Sequence, residues 1–388
     1  REMLIAPLFD IVIPISVATE PLSKRISGII LPHSSGVWGC LPKKCIPWPK
    51  SSSRPLSEAY TLLPMTTSLT VGISTNDRML PLLLGDVPTP GLDLTFDRAS
   101  PIGIFRRALQ EGAFDVTEMS FAAYSILMSR GERPFVGIPV FVSRMFRHGC
   151  VFVRTDGDIA RPEDLTGARI GIPEYQMTAV VWMRGILDEY HGVDPKGVRW
   201  VRGGVNAPGG RGEKMPLRLS DDYDVADLED RSLNDALAAG EIDAMITTRL
   251  PAGLTDGSLK GLFSDVKAAE QAYYAASGIF PIMHLLVLRR EVYERDPSLA
   301  RALYDCFSAA KTASLARLYD IDALSVMVPW LVPEMAASFG VLGQDPWPYG
   351  FAANRKDFEV FLTYLERQEL LASPLAPEDL FAPELLAT

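Results

Sequence analysis

Four histidines occur in the 388 residues, at positions 33, 148, 191 and 284. Imidazole titrates nearest neutrality, so these are the first candidates for moving protons. His33 lies in a proline-rich stretch, and His191 stands before Gly192 at a predicted helix end, where a capping role suffices. His148 follows the run Ser143-Arg144-Met145-Phe146-Arg147, and His284 follows Phe280-Pro281-Ile282-Met283. Either can serve as a general acid, although a histidine satisfied by backbone is the commoner case. Arg144 and Arg147, with Arg78 as a weaker third and Arg249 farther along, carry the planar fork that holds a carboxylate through two hydrogen bonds; a solvated surface charge is the plainer reading of each. Glu118 closes an apolar run and Glu174 opens a predicted helix. There a carboxylate either joins the proton transfers or simply favours the positive helix end. His148, His284 and Glu118 are also a donor set for a divalent ion, but no HxH or HxxxH spacing gathers them, so no cofactor is expected.

Composition limits the partners. Hydrophobic residues make up 47% and charged residues 22%, as in ordinary globular proteins, and the formal net charge is −10. An acidic chain without a basic face is a poor nucleic-acid ligand, so an anionic small molecule must be held by a local arginine cluster. Cys40, Cys45, Cys150 and Cys306 are too scattered for a disulfide scaffold or a zinc site. No uncharged apolar run reaches the length of a membrane span. Leu4 to Val17 is interrupted by Pro7, Asp10 and Pro14, so a secretory signal is not expected and the cytoplasm is the expected location. Homo-oligomerisation is compatible with this composition.

The elements that must position these residues begin at Leu69. Residues 1–65 hold nine of the thirty prolines and show neither a helical nor a strand period, which predicts an irregular arm. Beyond it, strand-like runs alternate with helical ones, the pattern of βαβ units and mostly parallel sheets. Ala108-Leu109-Gln-Glu-Gly112-Ala-Phe-Asp115-Val116 recurs 128 residues later as Ala236-Leu237-Ala-Ala-Gly240-Glu-Ile-Asp243-Ala244. Each copy reads as a helix end, a glycine cap and a buried strand, and each leads into a polar triplet: Glu118-Met119-Ser120 and Thr247-Thr248-Arg249. Two similar α/β lobes follow, one over 66–154 and 283–388, the other over 155–282. Their strand ends, and so both triplets, should face one cleft in a hinge-closing molecule.

Several segments together resemble the 4,5-dihydroxyphthalate decarboxylase family. They are Glu118-Met119-Ser120, Ile138-Pro139-Val140-Phe141 with Ser143-Arg144-Met145-Phe146-Arg147-His148, Glu174-Tyr175-Gln176-Met177-Thr178-Ala179 followed by Val181-Trp182-Met183-Arg184-Gly185, Ile279-Phe280-Pro281-Ile282-Met283-His284, and Trp347-Pro348-Tyr349-Gly350. They run in order from about residue 69 to the end. Asn76-Asp77-Arg78-Met79 keeps only Asp and Arg of the family's usual Tyr-Asp-Arg-Thr-like run.

The resemblance implies a type II periplasmic-binding-protein-like fold. It also implies loss of CO2 from a dihydroxylated aromatic dicarboxylate, or a close aromatic acid analogue. On that basis His284, His148 and Glu118 are the catalytic candidates. Arg78, Ser120, Arg144, Arg147, Glu174, Tyr175, Thr248 and Arg249 are the substrate-binding candidates. The alternative is a solute-binding protein for an aromatic or other organic acid, with the same cleft and no turnover.

Overall fold

A computed structural model of the chain describes residues 66–209 and 215–388; the arm expected over 1–65 lies outside them. In chain order the strands are β1 (Thr67–Ile73), β2 (Leu92–Arg98), β3 (Val116–Ser120), β4 (Phe135–Arg144), β5 (Val151–Arg154), β6 (Arg169–Ile172), β7 (Arg199–Gly203), β8 (Asp224–Leu228), β9 (Ala244–Ile246), β10 (Leu259–Gly261) and β11 (Ile282–Arg289). They form two sheets, ordered β2-β1-β3-β11-β4 and β10-β5-β9-β6-β7-β8. The two-lobed α/β expectation is thus borne out.

The two sheets repeat one plan. β1 lies between β2 and β3, all parallel, and β6 lies between β7 and β9 in the same sense. One strand of each sheet runs against its neighbours, β11 beside β3 and β4, and β5 beside β9 and β10. Each of these two is the strand the chain enters directly after crossing from the other sheet. The 128-residue echo coincides with this symmetry, for Val116 and Ala244 open β3 and β9. Gly112 and Gly240 both take the left-handed conformation, at φ 58° and 74°, where a side chain would be strained. Asp115 then accepts from the Thr70 N–H (2.9 Å) and Asp243 from the Arg169 N–H (2.8 Å), tying each echo to the middle strand of its sheet's parallel trio, β1 and β6.

The strand Val151–Arg154, read from sequence as the end of the first lobe, pairs in the second sheet, with Val151 opposite Ile246. A short apolar run fits either sheet, and only its partners decide. The crossing therefore falls at 145–150, where Met145 N–H donates to Pro281 O (3.1 Å) and holds it against the returning segment.

The C-terminal part also departs from the assignment of 283–388 to one lobe. Helix Arg355–Arg367 lies between the lobes: Phe361 stacks on Phe121 of the first (4.7 Å between centroids) and on Trp182 of the second (4.9 Å). Trp182 in turn donates to Ile282 O (2.9 Å). One hydrophobic core runs continuously through both lobes, with a smaller cluster around Leu233, Leu237 and Met245 under the second sheet. Among the described residues no helix is long and apolar enough to cross a membrane.

Candidate active site

The proton-handling residues stand on two adjacent strands, with Ser74 just past the end of a third. Glu118 on β3 and His284 on β11 are diagonal neighbours on one sheet face, since Glu118 is opposite Leu286 and His284 opposite Ser120. His284 Nδ1 lies 2.6 Å from Glu118 Oε1. Glu118 Oε2 accepts from both the N–H and the hydroxyl of Ser74, at 2.8 and 2.5 Å, where β1 ends. Glu118 is 1% exposed. Burial would raise its carboxyl, but the bonds from His284 and Ser74 outweigh that penalty and hold it below the usual carboxylate range. An ionised carboxylate has no proton to give, so Nδ1 donates and Nε2 is the nitrogen left for the cavity. The Phe105 ring meets the imidazole edge-on, 4.9 Å between centroids, and fixes its plane.

His284 lines a cavity of ≈ 280 Å³ between the lobes, close to the lower end of the roughly 300–1,000 Å³ usual for small-molecule sites. Pro101, Ile102 and Phe105 supply an apolar wall from the first lobe, with Ser120 beside them. Glu174, Met177, Thr178, Ala179, Thr248 and Arg249 come from the second, and Arg147 and Met283 from the crossing segments. Ser120 and Thr178 join the walls through their hydroxyls, 2.9 Å apart. Each sits at a helix start, Ser120 as N-cap of helix Phe121–Ser129 and Thr178 as first residue of helix Thr178–His191. The positive ends of both helices therefore meet at the cavity, which favours an anion there.

Arg147 is the best placed cation. It is 8% exposed, yet among the described residues its donors reach only sulfur: Nε to Met283 Sδ (3.1 Å), and Nη1 to Met145 Sδ (3.3 Å) and Cys150 Sγ (3.8 Å). Thioethers and thiols are weak acceptors, so a buried guanidinium keeps most of its hydrogen-bonding capacity for a carboxylate. Arg249 and Thr248 stand exposed at the mouth.

Four of the sequence candidates lie elsewhere. Arg144 is buried inside the first lobe, donating to Phe280 O (2.7 Å), Pro348 O (3.2 Å), Asn354 and Asp357 (3.4 Å), and it holds the C-terminal segment rather than a ligand. Arg78 pairs with Asp77 (2.6 Å), donates to Val142 O (3.0 Å) and lies over the Trp347 ring, on a separate cavity beside helices Ser298–Tyr319 and Leu331–Leu342. His148 is packed against Phe263 and Tyr273, at 5.1 and 5.4 Å between centroids, and does not line the cleft. Burial, with His191 nearby, pushes its imidazole down to about 4, so it is neutral near pH 7. Tyr175 is fully buried between Arg184 and Trp200.

The donor set His148, His284 and Glu118 is thus not assembled, and among the described residues no group of three or more His, Cys, Asp or Glu could hold a metal ion. Sequence reasoning passed over Ser74, Phe105, Thr178 and Met283. Thr178 sat inside a quoted segment, but Ser74 carried no signal, because its role depends on strand adjacency.

The chain is 39% identical over 321 residues to the 4,5-dihydroxyphthalate decarboxylase of Comamonas testosteroni, covering 82% of this chain and 97% of that protein. It is 40% identical over 212 residues to the enzyme of the same name from Pseudomonas putida, covering 54% of this chain and 82% of that one. No family model matches it. Among solved structures it aligns with the periplasmic aliphatic sulphonate binding protein SsuA of Escherichia coli (14% identity, TM-score 0.47, 83% of this chain and 98% of that one). It also aligns with the desulfurization enzyme DSZB (14% identity, TM-score 0.42, 82% and 97%).

Proposed function

The chain belongs to the 4,5-dihydroxyphthalate decarboxylase family, and from that premise we propose that its inter-lobe cavity removes CO2 from 4,5-dihydroxyphthalate or a close aromatic diacid. The observation that carries the chemistry is the imidazole of His284, oriented by a buried carboxylate and facing the same cavity as Arg147.

One ring hydroxyl is para to the departing carboxylate. Its electrons reach the carbon that bears that carboxylate, so a proton delivered there gives a dienone that expels CO2 and becomes aromatic again. The phenol itself supplies the electron push, and the reading needs no organic cofactor. Arg147 and the start of helix Thr178–His191 hold the retained carboxylate. His284 Nε2 protonates the ring carbon while Glu118 keeps the imidazole in the required tautomer. Of the two roles weighed for Glu118 from sequence, phenol acceptor or orienter of a histidine, its 2.6 Å contact with His284 Nδ1 supports the second. One solvent proton is consumed per CO2 released. A cytoplasmic location belongs to the same reading.

The test is incubation of the protein with 4,5-dihydroxyphthalate while CO2 and the mono-acid product are measured. Turnover is expected, and His284→Asn should lower it by about 10²–10⁴-fold with an unchanged melting temperature. Tight binding of the diacid with no CO2 would instead make the chain a solute-binding protein.

A further inference from the structure

Buried donors ordinarily end on oxygen. Among the described residues, those of Arg147 end on three sulfurs, Met283 Sδ, Met145 Sδ and Cys150 Sγ. Sulfur is a weak acceptor that yields easily to a carboxylate. Unlike a carbonyl or hydroxyl oxygen, it is also open to oxidation, and oxidation turns a weak acceptor into a strong one.

The three sulfurs differ in access. Met283 is 1% exposed and Cys150 7%. Burial raises the Cys150 thiol even with Arg147 beside it, so the reactive thiolate is scarce. Met145 is 52% exposed. Its backbone N–H is tied to Pro281 O at 3.1 Å, which holds the residue beside Arg147. Met145 is not among the residues that line the cavity, so an oxidant reaches it from outside the ligand site. Resting on the reading above that Arg147 holds the ligand's carboxylate, we propose that Met145 is an oxidation site through which hydrogen peroxide disables the anion-binding arginine.

A lone pair of the Met145 sulfur attacks one peroxide oxygen. The O–O bond breaks, the thioether is oxidised to the sulfoxide, and the peroxide is reduced to water. The unbranched side chain has the rotational freedom to draw back and make room for the new oxygen. That oxygen carries partial negative charge and accepts from Arg147 Nη1, the donor that now touches only sulfur. An incoming carboxylate must then displace oxygen rather than sulfur, and it meets a second negative centre as it does so. Methionine sulfoxide reductase returns the thioether and frees the guanidinium.

The test is calorimetric titration of phthalate before and after hydrogen peroxide, with the oxidant removed and oxygen gain at Met145 followed by peptide mass spectrometry. Once Met145 is oxidised, Kd should rise by about 10–100-fold, as for the loss of a hydrogen bond to a charged group. Treatment with the reductase should restore it. KM for 4,5-dihydroxyphthalate should rise by the same factor with kcat little changed, the pattern of lost uniform binding. Met145→Leu, compared with itself before and after peroxide, should keep its affinity. Met145→Gln, a permanent polar mimic of the sulfoxide, should bind phthalate weakly without any oxidant. Met327, 102% exposed, lies in the link between helices Ser298–Tyr319 and Leu331–Leu342, and Met327→Leu should respond as wild type does. Met177 is the rival target, half-buried on the cavity wall. If oxidation acts there, Met145→Leu loses affinity like wild type, and the proposal falls. It falls equally if fully oxidised Met145 leaves Kd within twofold of its starting value, or if untreated wild type does not bind phthalate. Wild-type protein that binds phthalate but releases no CO2 from 4,5-dihydroxyphthalate would sink the decarboxylase reading alone, because the titration reads carboxylate binding and not turnover.

Discussion

Arg144 and Arg147 stand three residues apart and do opposite work. The first spends its donors on backbone carbonyls, Asn354 and Asp357, the second, among the described residues, only on sulfur. Arg147→Lys should therefore raise KM for a dicarboxylate by about 10–100-fold, more than for the matching mono-acid, because an ammonium lacks the planar fork. Equal loss for both ligands would show the arginine to be structural. The two were alike in sequence because, apart from Met145 and Cys150 beside Arg147, the partners that separate them come from residues 280–283 and 348–357, far along the chain.

His148 and His284 were equally undecided from sequence, and burial separates them. His148, with its ring among Phe263 and Tyr273, has its imidazole lowered to about 4 by desolvation and by His191. In the unfolded chain it titrates at its ordinary value of about 6.5, so between those values the unfolded state binds the extra proton. Its contribution to stability is complete above about 6.5 and declines as pH falls towards 4, by at most about 3 kcal/mol. His148→Phe keeps the ring packing and removes the titration. Denaturant midpoints at pH 7 and pH 5 should differ less in this variant than in wild type; an equal difference would rule the linkage out.

At the scale of elements, the echo around Gly112 and Gly240 was legible because it repeats a cap and a strand start, both of which are local. The pairing of β5 was not, since a four-residue apolar strand has no address of its own. Helix Thr178–His191 shows the same limit. Gly185 in its middle reads as a weak point that alanine would improve by about 1 kcal/mol. Yet a Cβ there would lie 2.2–2.5 Å from the Tyr364 ring, which is itself pinned by a 2.6 Å bond to Glu189. Gly185→Ala should therefore destabilise, by about 1–3 kcal/mol as overpacking does, and a raised melting temperature would contradict this close approach of the two helices.

For the whole molecule, two lobes were readable from the alternation and the echo, but their fastening was not. The apolar face of helix Arg355–Arg367 predicts that something covers it, and only the fold shows that it meets both lobes through Phe361. A hinge-closing molecule changes shape when it fills. With Phe121, Phe361 and Trp182 stacked across the back of the cleft and one core running through both lobes, little change is expected here. Small-angle scattering curves with and without phthalate should superimpose, and a clear compaction would mean that the stack opens. The aromatic rivet also shifts the burden of traffic to the front of the cavity. A doubly charged acid must enter past Thr248 and Arg249, and two departures of unlike character must then share the same doorway: a neutral gas, which the wall of Pro101, Ile102 and Phe105 does nothing to detain, and an anion that Arg147 and Arg249 still attract. In such a chamber the slower exit belongs to the aromatic acid.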